Sequence, residues 1–142
     1  MTASINSTPR RTSLQTPVRV VFWVLAVIIT ALALYPRLTM PELEATEGTM
    51  QYYNHVLAFS TLIVVGAVGW GLQRRLIGGV AIGAIALELA QTFSPGRETT
   101  LADLLASLVG VALGCVVAYL AGLVLRRTDI RAAPVGPKTQ DP

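Results

Sequence analysis

Four stretches of this chain contain no Asp, Glu, Lys or Arg: Val20 to Pro36, Gly48 to Gln73, Leu76 to Leu87, and Leu104 to Leu125. One helical crossing of a bilayer takes roughly 17–25 mostly apolar residues. The first, second and fourth stretches meet that requirement alone. The third meets it when Glu88 is accepted inside the helix and the helix runs on to Phe93. Only 13% of the residues are charged and 53% are hydrophobic, whereas a soluble domain is about one-quarter charged. The pattern predicts an all-α fold, an integral membrane four-helix bundle with helices over 18–35, 52–72, 76–93 and 101–125. Those helices use nearly the whole chain and leave no room for a second, soluble domain.

The basic residues set the expected orientation. Arg10, Arg11 and Arg19 precede the first span, Arg74 and Arg75 separate the second from the third, and Arg126, Arg127, Arg131 and Lys138 follow the fourth. The other two connections hold only Arg37 and Arg97. Lys and Arg accumulate in cytoplasmic loops, so both termini are expected in the cytoplasm, with loops 36–50 and 94–100 facing outward. Trp23 and Trp70 then fall near inner helix ends and Tyr35, Tyr52 and Tyr53 near outer ends, the two interfaces that aromatic residues favour. The net charge of +3 is a topology signal and gives no basis for a nucleic-acid partner. Arg10-Arg11 followed by an apolar run and Ala31-x-Ala33 imitates a secretory signal. Because the run continues through Tyr35 and further spans follow, the segment is expected to stay as the first transmembrane helix. Segments 1–17 and 128–142, rich in Ser, Thr, Pro and scattered charges, are expected to be mobile cytoplasmic tails flanking a transmembrane domain over 18–127.

Ala106, Gly110, Gly114, Ala118 and Gly122 recur every four residues on the fourth helix, and Gly79 and Gly83 repeat the spacing on the third. Such ridges admit close helix approach within a bundle, and they also suit a homodimer seam. Cys115, the only cysteine, has no partner for a disulfide and reads as a small filler.

Polar residues inside the apolar sequence are the functional signal, because ionisable side chains in spanning segments are costly unless paired, solvated or used. Glu88 and Gln91 are three apart and share a helical face. Ala84 and Ala81 continue it, which predicts open space beneath the pair. Thr100-Leu101-Ala102-Asp103 fits a capping box, an explanation of Asp103 that needs no function. Asp103 also shares a face with Ser107, Gly110 and Gly114. His55, the only histidine, falls in the first turn of the second helix, at the same outer level. His55, Glu88 and Asp103 are the candidate acid–base, or catalytic, residues; Gln91, Arg97 and Ser107 are the candidate ligand-binding residues, with Arg97 suited to clamp an anion. The alternative for all of them is a set of buried pairs locking helices together. No helix carries two metal-ligating side chains at close spacing, so no metal is expected, and no phosphate loop, nucleophile elbow or other cofactor motif is present.

These residues resemble a known family. H-x-x-A-F in the second helix (His55, Ala58, Phe59) is followed by E-x-x-Q-x-F-x-P-G-R-x-x-[ST]-x-x-D-x-x-A-x-x-x-G, carried by Glu88, Gln91, Phe93, Pro95, Gly96, Arg97, Thr100, Asp103, Ala106 and Gly110. The pattern resembles the VanZ-like membrane proteins over residues 20–125. Gln51 and Tyr52 stand where that family commonly has Asp-Lys, and Ser107 where it commonly has Asn. The resemblance implies a multi-pass plasma-membrane protein of a bacterial or archaeal cell envelope, from a family whose founding member is associated with low-level teicoplanin resistance. Three functions remain open: an outward-facing polar pocket for an anionic lipid or lipid-linked headgroup, a small proton-coupled transporter using Glu88, or a non-catalytic assembly scaffold. The sequence does not choose between binding and catalysis.

Overall fold

The computed structural model describes residues 12–34, 47–93 and 100–132, all of them in helices or the short segments next to them. Four helices follow one another: α1 (Thr12–Leu34), α2 (Glu47–Trp70), α3 (Arg74–Gln91) and α4 (Leu101–Ala132). Three of them contain stretches long and apolar enough to cross a membrane, namely Leu14–Leu34, Tyr52–Trp70 and Leu101–Arg127. Of the four helices expected to cross, three are thus long and apolar enough to do so. At 18 residues, α3 is about 27 Å long and includes Arg74, Arg75 and Glu88, so its uninterrupted apolar stretch is too short to qualify.

Three boundaries differ most from expectation, and one of them is the start of α2, which was expected at 52 and lies at Glu47, inside the expected loop 36–50. The first helix begins at Thr12, inside the segment expected to be a tail, and contains Pro17. Proline removes one backbone donor, and a helix tolerates this best near its start. The last helix reaches Ala132, beyond the expected end at 125, because helical backbone bonding does not depend on hydropathy and continues through Thr128, Asp129 and Arg131. Of the expected tails over 1–17 and 128–142 and loops over 36–50 and 94–100, residues 1–11, 133–142, 36–46 and 94–99 lie outside the described residues.

Neighbouring helices alternate in direction. Arg19 and Phe22 of α1 meet α2 at Gly69 and Gly66, and Leu76 of α3 also reaches Gly66, so α1 and α3 both run opposite to α2. Gly110 and Gly114 of α4 meet Val56 and Ser60 of α2, so those two run parallel and make the most extensive pairing. The two glycines therefore serve contact within the chain, and the packing reading of the ridge holds at these positions. Gly122, further along it, has nothing within 4 Å of where a Cβ would sit. A buried apolar core of Phe22, Phe59, Leu62, Ile63, Val80 and Ala84, among others, joins the first three helices, and Val111 adds the fourth. Large hydrophobics such as Val27, Leu57, Ile82 and Val124 stay exposed on the outer faces, as helices facing lipid require.

The turn between α2 and α3 is tight. Gly71 adopts φ +80° and its N–H bonds the Ala67 carbonyl at 2.8 Å, ending α2 in a left-handed cap that favours glycine. Arg19 then closes this end of the molecule: its Nε donates to the Gly69 carbonyl at 3.0 Å, and its guanidinium lies 5.3 Å from the Trp70 ring centre, a cation–π distance.

Candidate functional site

Among the described residues, the buried polar side chains are His55, Glu88, Gln91, Asp103 and Ser107. All five were singled out from the sequence, and the fold gathers them at one end. His55 lies in the third turn of α2 and not in its first, because that helix begins at Glu47; Glu88 and Gln91 lie in the last turn of α3, and Asp103 and Ser107 in the first turns of α4. Antiparallel alternation brings those three helix ends to one level.

Ser107 is central to the cluster. Its Oγ donates to Glu88 Oε1 at 3.3 Å, and His55 Nδ1 stands 3.0 Å from the same Oγ. The Nδ1 is also 3.3 Å from Glu88 Oε1. A bare nitrogen lone pair against a carboxylate oxygen would be repulsive, and the hydroxyl proton is already directed at Glu88. With Glu88 ionised, a proton on His55 Nδ1 would be donated to the Ser107–Glu88 pair, and the neutral ring would then carry its basic nitrogen at Nε2. A carboxylate holding one ring nitrogen and leaving basicity on the other is the arrangement used to orient acid–base histidines. The approach that makes it possible is backbone-deep. A Cβ at Gly110 would come within 2.6 Å of the Val56 carbonyl oxygen and 3.2 Å of the His55 oxygen, so only glycine lets α4 carry Ser107 this near to His55.

Asp103 forms the capping box expected from its sequence. Its carboxylate accepts from the Thr100 backbone N–H at 3.0 Å and from Thr100 Oγ1 at 2.9 Å, and its own N–H bonds Thr100 Oγ1 at 3.3 Å. Asp103 is nonetheless only 1% exposed and sits one turn from Ser107 on the same face. Gln91 reaches a helix that the sequence had not linked to the site: its Nε2 donates to the Ala33 carbonyl in the last turn of α1 at 3.2 Å. Nothing in the sequence pointed to Ala33, since a backbone carbonyl has no side-chain signature. The Gln91 Oε1 is buried and has no hydrogen-bond partner among the described residues.

The space expected beneath Glu88 and Gln91 at Ala84 is filled: Ala84 is 0% exposed and part of the apolar core. Open space on α3 lies around the helix at Gly79 and Gly83 instead. Arg97, the expected anion clamp, lies outside the described residues. Among the described residues no group of three His, Cys, Asp or Glu side chains could hold a metal ion. Comparison with protein-family models, curated proteins and solved structures gives no significant match.

Proposed function

We propose that this is a multi-pass plasma-membrane protein of the VanZ-like type, with α3 as a fourth crossing, both termini cytoplasmic and a polar pocket facing outward that engages an anionic lipid or envelope headgroup. The observation that carries this reading is the convergence of His55, Ser107, Glu88, Gln91 and Asp103 at one end of three helices. In the proposal Arg97 meets the anion, and Gln91 Oε1 accepts from a headgroup hydroxyl. Glu88 and Ser107 hold the His55 ring so that Nε2 can take or give a proton, while Asp103 starts α4 correctly and sets the height of Ser107. That last residue is one of the departures from the family pattern and stands in the middle of the cluster, so the ligand is expected to differ from that of relatives with Asn there.

Dihexanoyl phosphatidic acid, a short-chain lipid with a phosphomonoester headgroup, tests the proposal by calorimetric titration of the full chain in detergent. Arg97→Gln is expected to weaken binding at least tenfold, the scale of a lost charge-assisted bond, with wild-type thermal stability, and Gln91→Leu by a smaller factor with some loss of stability, since it also removes the bond to the Ala33 carbonyl. Unaltered binding in both variants would overturn the pocket.

A second reading has its own observation. Ser107, His55 and Glu88 bond one another across three helices while each is less than 9% exposed, which is what a structural lock requires. On that reading His55→Ala and Glu88→Gln lower stability and abundance together, and no headgroup binds.

A further inference from the structure

A second feature lies away from the polar cluster. A groove of about 440 Å³ runs between α1 and α3 over a floor supplied by α2. These two helices touch each other less than either touches α2, so the walls stand apart. Apolar side chains such as Ile29, Phe59, Leu62 and Leu87 line most of it. Gly79 and Gly83 form much of the α3 wall, and a Cβ at either would meet nothing within 4 Å. Among the described residues the charged mouth is where Arg75, Gln73 and Trp70 meet, and Thr30 is the polar lining residue toward the other end. Arg75 is exposed there, and Arg19 stacks on the other side of that rim against Trp70. The buried acids Glu88 and Asp103 belong to the opposite end of the helices.

Length and charge identify an occupant. From Arg75 to Leu87 the α3 wall extends about 18 Å at 1.5 Å per residue, close to the roughly 15 Å of hydrocarbon in one leaflet. A basic mouth between membrane helices attracts anionic headgroups, and an apolar, mostly pre-formed channel accepts alkyl chain. We propose that the α1–α3 groove holds one acyl chain of an anionic glycerophospholipid, with the phosphate at Arg75. This assignment shares only the membrane setting with the polar-pocket reading and survives the failure of that reading.

Trp23 and Trp70 are the two tryptophans of the chain, and both line the groove, so intrinsic fluorescence reports its contents. The full chain is placed in phosphatidylcholine nanodiscs that contain a minor fraction of either phosphatidylglycerol or phosphatidylcholine with brominated acyl chains, which quench tryptophan on contact. Brominated phosphatidylglycerol is expected to quench more strongly, with about fivefold greater relative affinity, the scale of one basic side chain at an anionic surface. Arg75→Gln, a change at an exposed position, abolishes the preference, while Arg74→Gln, outside the groove lining, retains most of it. Gly83→Leu fills the groove in the space that now meets nothing and lowers quenching by the anionic lipid to the level of the zwitterionic one, with helical circular dichroism unchanged. Equal quenching by the two lipids in the wild-type chain, or a preference that survives Arg75→Gln, overturns the proposal. So does a wild-type disc holding two chains that Gly83→Leu reduces to one, since the groove is then the seat of a second copy.

Discussion

Replacing Gly110 by alanine tests the geometry on which the polar cluster depends. The added Cβ would lie 2.6 Å from the Val56 carbonyl oxygen and 3.0 Å from Val56 Cα. Both are backbone atoms in a helix and cannot rotate aside. To restore ordinary van der Waals contact near 3.4 Å, α4 must retreat by about 0.8 Å. Ser107 sits one turn earlier on the same helix, so its 3.0 Å contact with His55 Nδ1 stretches toward roughly 3.8 Å, beyond hydrogen-bonding range. Overpacking of this kind destabilises by about 1–3 kcal/mol, and each lost interhelical bond in a membrane protein adds about 0.6 kcal/mol. Alanine also gains up to about 1 kcal/mol in helix propensity over glycine, which would mask part of the effect. Gly122→Ala supplies the correction, because it gains the same propensity where nothing lies within 4 Å. The difference between the two variants is therefore expected to be about 2–4 kcal/mol, measured by reversible unfolding in bicelles. In ¹⁵N-histidine spectra the Nδ1–H signal of Gly110→Ala should move toward that of a ring without its hydrogen bond. Equal stability of the two alanine variants, or an unmoved histidine signal, would refute the close approach of α2 and α4.

Two further substitutions separate the parts of the site. Ser107→Ala removes the hydroxyl shared by His55 and Glu88 while keeping their direct contact, and should reduce stability by about 1–3 kcal/mol as buried polar atoms lose a partner; an unaffected unfolding midpoint would mean that the serine contributes no bond. Thr100→Ala removes the Oγ1 bonds to Asp103 while leaving the His55–Ser107–Glu88 contacts in place and should destabilise by about 1 kcal/mol; because Asp103 is proposed to set the height of Ser107, the Nδ1–H signal of His55 should shift, and an unmoved signal would show that the cap and those contacts are independent.

What the sequence revealed and what it hid have different physical origins. His55, Glu88 and Asp103 stood out because a buried ionisable group in apolar surroundings is expensive, and that expense is local to the residue. The partner of the Gly110–Gly114 ridge did not stand out, since a four-residue spacing serves any helix that approaches it; only the fold assigns the ridge to Val56 and Ser60 of α2. Open space on α3 was misplaced at Ala84 for a related reason. A small side chain indicates that something can come near, and here the core itself closes on Ala84 while Gly79 and Gly83 stay uncovered. The helical residues from Thr12, from Glu47 and up to Ala132 were missed because hydropathy follows solvent preference, whereas backbone hydrogen bonding continues through polar residues.

The shortness of the apolar part of α3 and the position of the cluster have one explanation if α3 crosses the membrane as proposed. Arg74 and Arg75 open the helix and Glu88 lies in its last turn, leaving Leu76–Leu87 as the uninterrupted apolar stretch. A helix so constituted is a poor candidate to insert alone, since a carboxylate within the hydrocarbon region is unfavourable by up to about 2.5–3.5 kcal/mol, less near the interface. Its neighbours carry the compensation. Ser107 of α4 donates to Glu88 and His55 of α2 stands beside it, both delivered by the Gly110 contact that allows α2 and α4 to close. The same groups that would make α3 tolerable in the membrane thus make up the buried polar cluster, so α3 should be the helix whose insertion depends most on the rest. In a glycosylation-mapping assay Ser107→Ala combined with His55→Ala should leave α1, α2 and α4 inserted and α3 only partly so, and restoring apolar character through Glu88→Leu should return α3 to the membrane without repairing the headgroup site. Full insertion of α3 in the double variant would separate the cluster from topology and leave function as its only reason to exist.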